Sequence, residues 1–277
     1  MSSQVEPNPP QAHRSDEGAS PRVLAISNQK GGVGKTTTAV NLATALAAVD
    51  KRVLIIDLDP QGNASTSLGI PANMRETNTY HVLMGDADLD QACVATSVPN
   101  LSVVPSGADL AGAELELVDV DNREGRLKAA VRDAAANYDY VLIDCPPSLG
   151  LLTLNAWVAA HAVLVPLQVE FLALEGISQL VRTIERIRQS LNPGLEIQGI
   201  VLTMVDKRNS LSEMVESDVR SFFGDKVYTT VIPRNVRVSE APSHGKPVLL
   251  YDFKSKGAQA YLNLAGEVLK REQAVAA

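Results

Sequence analysis

The stretch "NQKGGVGKTT", residues 28–37, carries the most chemically suggestive spacing in the chain. Gly31, Gly32 and Gly34 surround Val33 and lead into Lys35, Thr36 and Thr37. Glycines so placed let successive backbone N–H groups turn into one concavity, and such a nest ahead of a helix is a site for anionic oxygen. Lys35 would reach the β- and γ-phosphates of a nucleotide, the Thr36 hydroxyl would coordinate Mg²⁺, and Thr37 is placed for the α-phosphate. The stretch departs from the ordinary G-x-x-x-x-G-K-[ST] pattern. Gln29 stands where the first glycine belongs, and a second lysine, Lys30, follows it. One lysine is enough to hold phosphates, so Lys30 needs another explanation.

Phosphate chemistry also needs carboxylates. "YVLIDCPPS" ends an apolar run on Asp144, the Walker B arrangement in which an acid acts on the metal. Pro146 and Pro147 stiffen the turn that follows, which suits a segment reporting the γ-phosphate. "DLDPQGN" supplies Asp57 and Asp59, which share a face on an extended chain. One could hold Mg²⁺ through water while the other orients the attacking water. Phosphoryl transfer asks mainly for such positioning and charge neutralisation.

These residues need strand ends and helix starts to hold them. Apolar runs at 22–27, 52–57, 101–105, 140–144, 162–167, 197–205 and 227–232 read as strands, mostly apolar on both faces, as in a sheet covered on each side. Helical periodicity falls between them, at 36–49, 174–191 and 256–272. In the second, Ile177, Leu180, Val181, Ile184, Ile187 and Leu191 form the apolar stripe, with Arg182, Arg186 and Gln189 opposite. The alternation predicts an α/β fold: one doubly wound, mostly parallel sheet with helices on both faces, a P-loop NTPase domain over residues 21–277. Residues 1–20 are rich in Pro, Ser, Gln and charge and read as a disordered tail.

Composition narrows the class. The chain has 277 residues, 45% of them hydrophobic, enough for one sizeable core. No apolar run approaches the roughly 18 residues that span a bilayer. The first residues lack the apolar core of a signal peptide, so a soluble, cytoplasmic protein is expected. Cys93 and Cys145 lack C-x-x-C spacing and read as reduced, structural cysteines. The net charge of −7 disfavours a surface that is basic throughout but allows a local basic patch.

Taken together, "NQKGGVGKTT", "DLDPQGN" and "DCPPS" resemble the ParA/MinD group of deviant Walker A ATPases, and "VIPRNVRVSEAPSHGKP" (231–247) resembles the chromosome-type, Soj-like ParA proteins. The resemblance covers residues 22–270. It implies an ATP- and Mg²⁺-dependent ATPase in which Lys30 reaches across an ATP-dependent homodimer to the partner's phosphates. It makes Asp59 the water-positioning residue, Asp57 a support of the metal site and Asp144 the Walker B acid. Glu170, in "LQVEFLALEG", falls near the nucleotide or the dimer interface, and Met204 and Pro233 fall where the family contacts adenine. It further implies non-specific binding of double-stranded DNA, hence nucleoid association, and a ParB-type centromere-binding partner. Arg234 and Arg237 are the leading phosphate contacts, with Arg208, Arg220, Lys246 and the Arg182/Arg186 face behind them. A MinD-like membrane helix does not fit the small, weakly apolar ending "VLKREQAVAA", and a nitrogenase-like Fe–S site does not fit the cysteine contexts. A nucleotide-binding scaffold without turnover is the non-enzymatic alternative, against which Asp59 speaks.

Overall fold

The computed structural model describes residues 21–170, 173–206 and 208–276. The tail expected at 1–20 lies outside the described residues. Seven strands form one sheet: β1 (Arg22–Ile26), β2 (Val53–Asp57), β3 (Val94–Ala95), β4 (Leu101–Val104), β5 (Tyr140–Asp144), β6 (Ala162–Gln168) and β7 (Glu196–Thr203). Their order is β3-β4-β2-β5-β1-β6-β7. Every pairing is parallel except that of β3, a two-residue strand on the edge of the sheet.

The apolar runs form strands because both of their faces are covered. Val23, Leu54, Ile56, Val141 and Ile143 enter the core on one side of the sheet. Leu24, Ile26, Val53, Ile55 and Leu142 enter the core on the other. Helix α1 (Lys35–Ala47) lies in the second core, buried along most of its length, and packs on the helix Lys256–Ala276. The register brings the functional strand ends level: Ile26 pairs with Asp144, and Asp57 pairs with Asp144 from the other side.

Two expectations change. Residues 227–232 do not form a strand; they make only isolated bridges, Ile200 with Val227 and Val205 with Pro233. The cause is a side chain: the Glu267 carboxylate takes the amide protons of Thr229 and Thr230, at 2.8 and 2.9 Å, in place of a ladder. Leu191 is 40% exposed and leaves the buried stripe, because the helix Ala173–Ser190 stops before it and Pro193 follows. The edge strand β3 and the helices Arg126–Ala134, Leu151–Ala159 and Ser210–Phe223 are additions to the sequence reading.

Candidate active site

The glycine loop runs from the end of β1 to α1 and is tied to the sheet at both ends. Asn28 donates to the Pro166 carbonyl at 2.8 Å and accepts the Lys30 amide at 3.1 Å, which fastens the start of the loop to β6. The Thr203 hydroxyl donates to the Val33 carbonyl at 2.8 Å and holds the apex to β7. Gly34 starts α1 with φ +89°, a left-handed conformation that a side chain resists. Among the described residues, an added Cβ at Gly31 or Gly32 would meet no atom beyond its chain neighbours within 4 Å, so none of them covers that face of the loop. The first amides of α1 have no intrahelical acceptor and carry the positive end of the helix dipole.

The two lysines sit in different environments. Lys35 is buried, and its ammonium folds back to the Lys30 carbonyl at 3.1 Å. Burial lowers its pKa, while Asp144 and Asp59 nearby favour the charged form. Lys30 is exposed, and its ammonium pairs with the Glu170 carboxylate of the same chain. Glu170 shares a cleft with Gln168, Met204 and Arg234. Met204 follows β7 in a left-handed conformation, φ +54°.

Three carboxylates meet the loop from the strand ends. Asp57 and Asp144 are fully buried, and Asp59 is nearly so. Asp57 Oδ2 accepts the Ser65 amide and hydroxyl at 2.8 and 2.6 Å. Asp59 Oδ1 accepts the Gln61 amide at 3.0 Å, which closes the turn into the short helix α2 (Asn63–Ser67). Among the described residues, Asp57 Oδ1 and both oxygens of Asp144 have no hydrogen-bond partner. Burial pushes the Asp57 carboxyl up to about 6, against the pull of its Ser65 hydrogen bonds. Burial first, and then the charge of Asp57, raise Asp144 well above the usual carboxylate range, with Thr36 and Lys35 opposing.

Buried, unpartnered carboxylate oxygens are costly unless a cation answers them. Mg²⁺ fits this donor set: it takes oxygen ligands, uses one or two carboxylates and keeps its remaining waters. Thr36, Asp144 and, through water, Asp57 are the residues that could hold it. Among the described residues, no three or more His, Cys, Asp or Glu side chains are arranged so that they alone could hold a metal ion. Cys93 contacts the Tyr138 hydroxyl at 3.2 Å, while Cys145, next to Asp144 in sequence, is fully buried.

The basic candidates separate. Arg208, Pro233 and Arg234 line one cleft of about 680 Å³, together with Lys254 and Lys256. The Arg208 guanidinium donates two hydrogen bonds to Asp206, at 2.9 and 2.8 Å, and the Arg208 amide donates a third at 3.1 Å. Arg237 pairs with Glu240 at 2.9 Å and Asp252 at 3.4 Å. Arg220 lines a different cleft, with Arg22 and Arg271 at the strand starts, away from Arg208 and Arg234. Arg182 and Arg186 are exposed on one helix, and Lys246 is exposed beside Gly245, whose backbone touches Gly69. The sequence reading missed Lys254 and Lys256, whose signal was the pair in "DFKSKG", and Ser65, a small polar residue with no motif around it.

A glycine nest opening a helix, a buried lysine beneath it and acids at adjacent parallel strand ends define a P-loop nucleotide-binding domain. Residues 21–197 match the family model of the AAA domain. The chain is 66% identical over 254 residues to the chromosome partitioning protein ParA of Caulobacter vibrioides, covering 91% of this chain and 95% of that one. It is 55% identical to the sporulation initiation inhibitor protein Soj of Bacillus subtilis, over 89% of this chain and 98% of that one. Among solved structures, cobyrinic acid a,c-diamide synthase from Mycobacterium smegmatis, with a bound ATP analogue and magnesium, superimposes with a TM-score of 0.81. That match is 41% identical and covers 91% and 96% of the two chains. The chain therefore belongs to the ParA/Soj-type chromosome-partitioning ATPases of the deviant Walker A P-loop family. Its activity is that of the family, ATP hydrolysis dependent on Mg²⁺. No described helix is long and apolar enough to cross a membrane.

Proposed function

We propose that the chain, through one ATPase domain over residues 21–277, works as an ATP-gated dimer that binds DNA and releases it on hydrolysis. The carrying observation is the contrast between its two loop lysines. Lys35 is buried under its own loop, whereas Lys30 is exposed and its ammonium pairs with the Glu170 carboxylate. Lys35, the amides of Gly31–Thr36 and the Thr37 hydroxyl hold the chain's own triphosphate. Lys30 leaves Glu170 and neutralises the phosphates bound by a second copy, so dimerisation depends on nucleotide state. Asp59 orients the attacking water, and the Lys30 and Lys35 charges stabilise the transferring phosphoryl group. Thr36, Asp144 and, through water, Asp57 would hold Mg²⁺, which would supply charge neutralisation for the phosphates. Met204 and Pro233 border the adenine.

The dimer presents Arg208, Arg234 and Arg237 twice to double-stranded DNA. Contacts of this kind go to phosphates, so binding is insensitive to sequence and falls steeply with salt. A ParB-type centromere-binding protein stimulates hydrolysis and frees the dimer from the nucleoid, in the cytoplasm and without a membrane step. Light scattering of Asp59→Ala with ADP or ATP, with and without DNA, tests the cycle. The expected result is an ATP-trapped dimer that stays on DNA. A variant that remains monomeric with ATP overturns this reading.

A further inference from the structure

The Asp57 carboxylate is held asymmetrically. Its Oδ2 takes both donors of Ser65, the amide at 2.8 Å and the hydroxyl at 2.6 Å, while Oδ1 has no partner among the described residues. Behind the serine, the Ser106 amide donates to Ser65 Oγ at 3.1 Å. A backbone amide can only donate, so Ser65 Oγ must be the acceptor there. Its single proton is then committed to Asp57. The chain of donors runs in one direction, from Ser106 N–H through Ser65 O–H to Asp57 Oδ2. The Thr79 hydroxyl donates to the Asp57 backbone carbonyl at 2.9 Å and steadies the same residue from the main chain. Asp57, Ser65 and Thr79 are 0% exposed and Ser106 is 1% exposed, so water does not compete for these bonds.

Three segments distant in sequence meet here. Asp57 ends β2, Ser65 lies on α2 just after the Asp59 turn, and Ser106 follows β4. A side chain with one donor and spare acceptor capacity, closed in among them, locks one carboxylate rotamer. A charge-assisted O–H···O⁻ bond at this distance belongs to the strong class.

We propose that Ser65, backed by the Ser106 amide, is the positioning residue of the metal site. It pins Asp57 Oδ2 and leaves Oδ1 as the oxygen turned to the water shell of Mg²⁺. This rests on the assignment of Asp57 to the metal site made above. Outer partners that orient a metal's carboxylates typically change affinity by about 10–100-fold when removed.

The test is a Mg²⁺ titration of fluorescent ADP binding to the full chain, with nucleotide binding in EDTA as a second readout. Ser65→Ala is expected to raise the Mg²⁺ concentration for half-saturation by about tenfold while ADP binding in EDTA stays unchanged. Ser65→Thr, which keeps the hydroxyl, is expected to restore the wild-type titration. If Ser65→Ala does not fold, Ser65→Cys replaces the hydroxyl with a weak donor of similar size and is expected to shift the titration the same way. An unchanged titration in the folded variant, or no rescue by threonine, overturns the proposal. Asp57→Asn separates the two ways of failing. A wild-type titration in that variant removes Asp57 from the metal site. A shift in Asp57→Asn without one in Ser65→Ala removes only the serine.

Discussion

The two edges of this parallel sheet treat charge in opposite ways. Where the strands begin, the charged groups answer one another. Arg22 reaches Glu272 at 3.2 Å and Gln198 at 2.6 Å, and the Tyr140 hydroxyl donates to the same Glu272 carboxylate. The Val23 amide donates to His161 Nδ1 at 3.0 Å, and Arg52 pairs with Asp139 at 2.8 Å. Where the strands end, Asp57 and Asp144 are more deeply buried, yet three of their four oxygens lack a partner among the described residues. A buried acid without a donor weakens a fold. Two of them side by side, with a lysine folded in beneath a glycine loop, mark an edge arranged for something the chain does not contain. Satisfied charge holds the fold together, and unsatisfied charge is kept for nucleotide and cation.

The sharpest way to break that contrast is Lys35→Ala. The open edge would then lose its own cation for the phosphates, and the expected loss of Mg-nucleotide binding is at least about 100-fold by calorimetry. Retained affinity would mean that Lys35 is a structural lysine. Asp144→Asn comes next: it should raise the Mg²⁺ requirement about 10–100-fold and leave the metal-free protein melting no lower than wild type. A melting point lowered as by a core deletion would place Asp144 with the closed edge instead.

A pH series sharpens the same point without mutation. In the metal-free fold Asp57 rises from its ordinary 3.8 to about 6, chiefly through burial, and burial raises Asp144 as well. The folded state then binds protons that the unfolded state releases. That contribution to stability is present at low pH and is lost as pH rises through about 6. Melting in EDTA should therefore fall as pH rises from about 4 through about 6, and saturating Mg-nucleotide should shrink the fall. A flat profile in EDTA would show that these acids are not strained by burial. The smallest effect belongs to the closed edge. Glu272→Gln weakens partly exposed pairs and should cost about 1 kcal/mol in urea unfolding, with ATP turnover per folded molecule unchanged.

Much of the open edge was legible beforehand because its chemistry is local. Gly31–Thr37 are consecutive, spanning the loop and the first turn of α1, and β5 was read to the residue because "YVLID" is buried on both faces and ends on an acid. The closed edge was not legible: Arg22, Tyr140, Gln198 and Glu272 are separated by most of the chain, and no spacing in the sequence says that their side chains meet. The failed strand at 227–232 has the same cause. Its residues suit a strand, but the Glu267 carboxylate, on the far helix, captures two of its amides.

The sequence by itself determined the family, the phosphate loop, the three acids and the alternation of strand and helix. These depend on short-range spacing and on burial of both faces of a strand. Only the tertiary structure decided what each acid faces, that Lys30 rests on Glu170, that Arg220 stands apart from Arg208 and Arg234, and that Ser65 and Ser106 brace Asp57. Those are questions of which distant groups share a donor, and the folded sheet settles them by bringing the ends of β1, β2, β4 and β5 level.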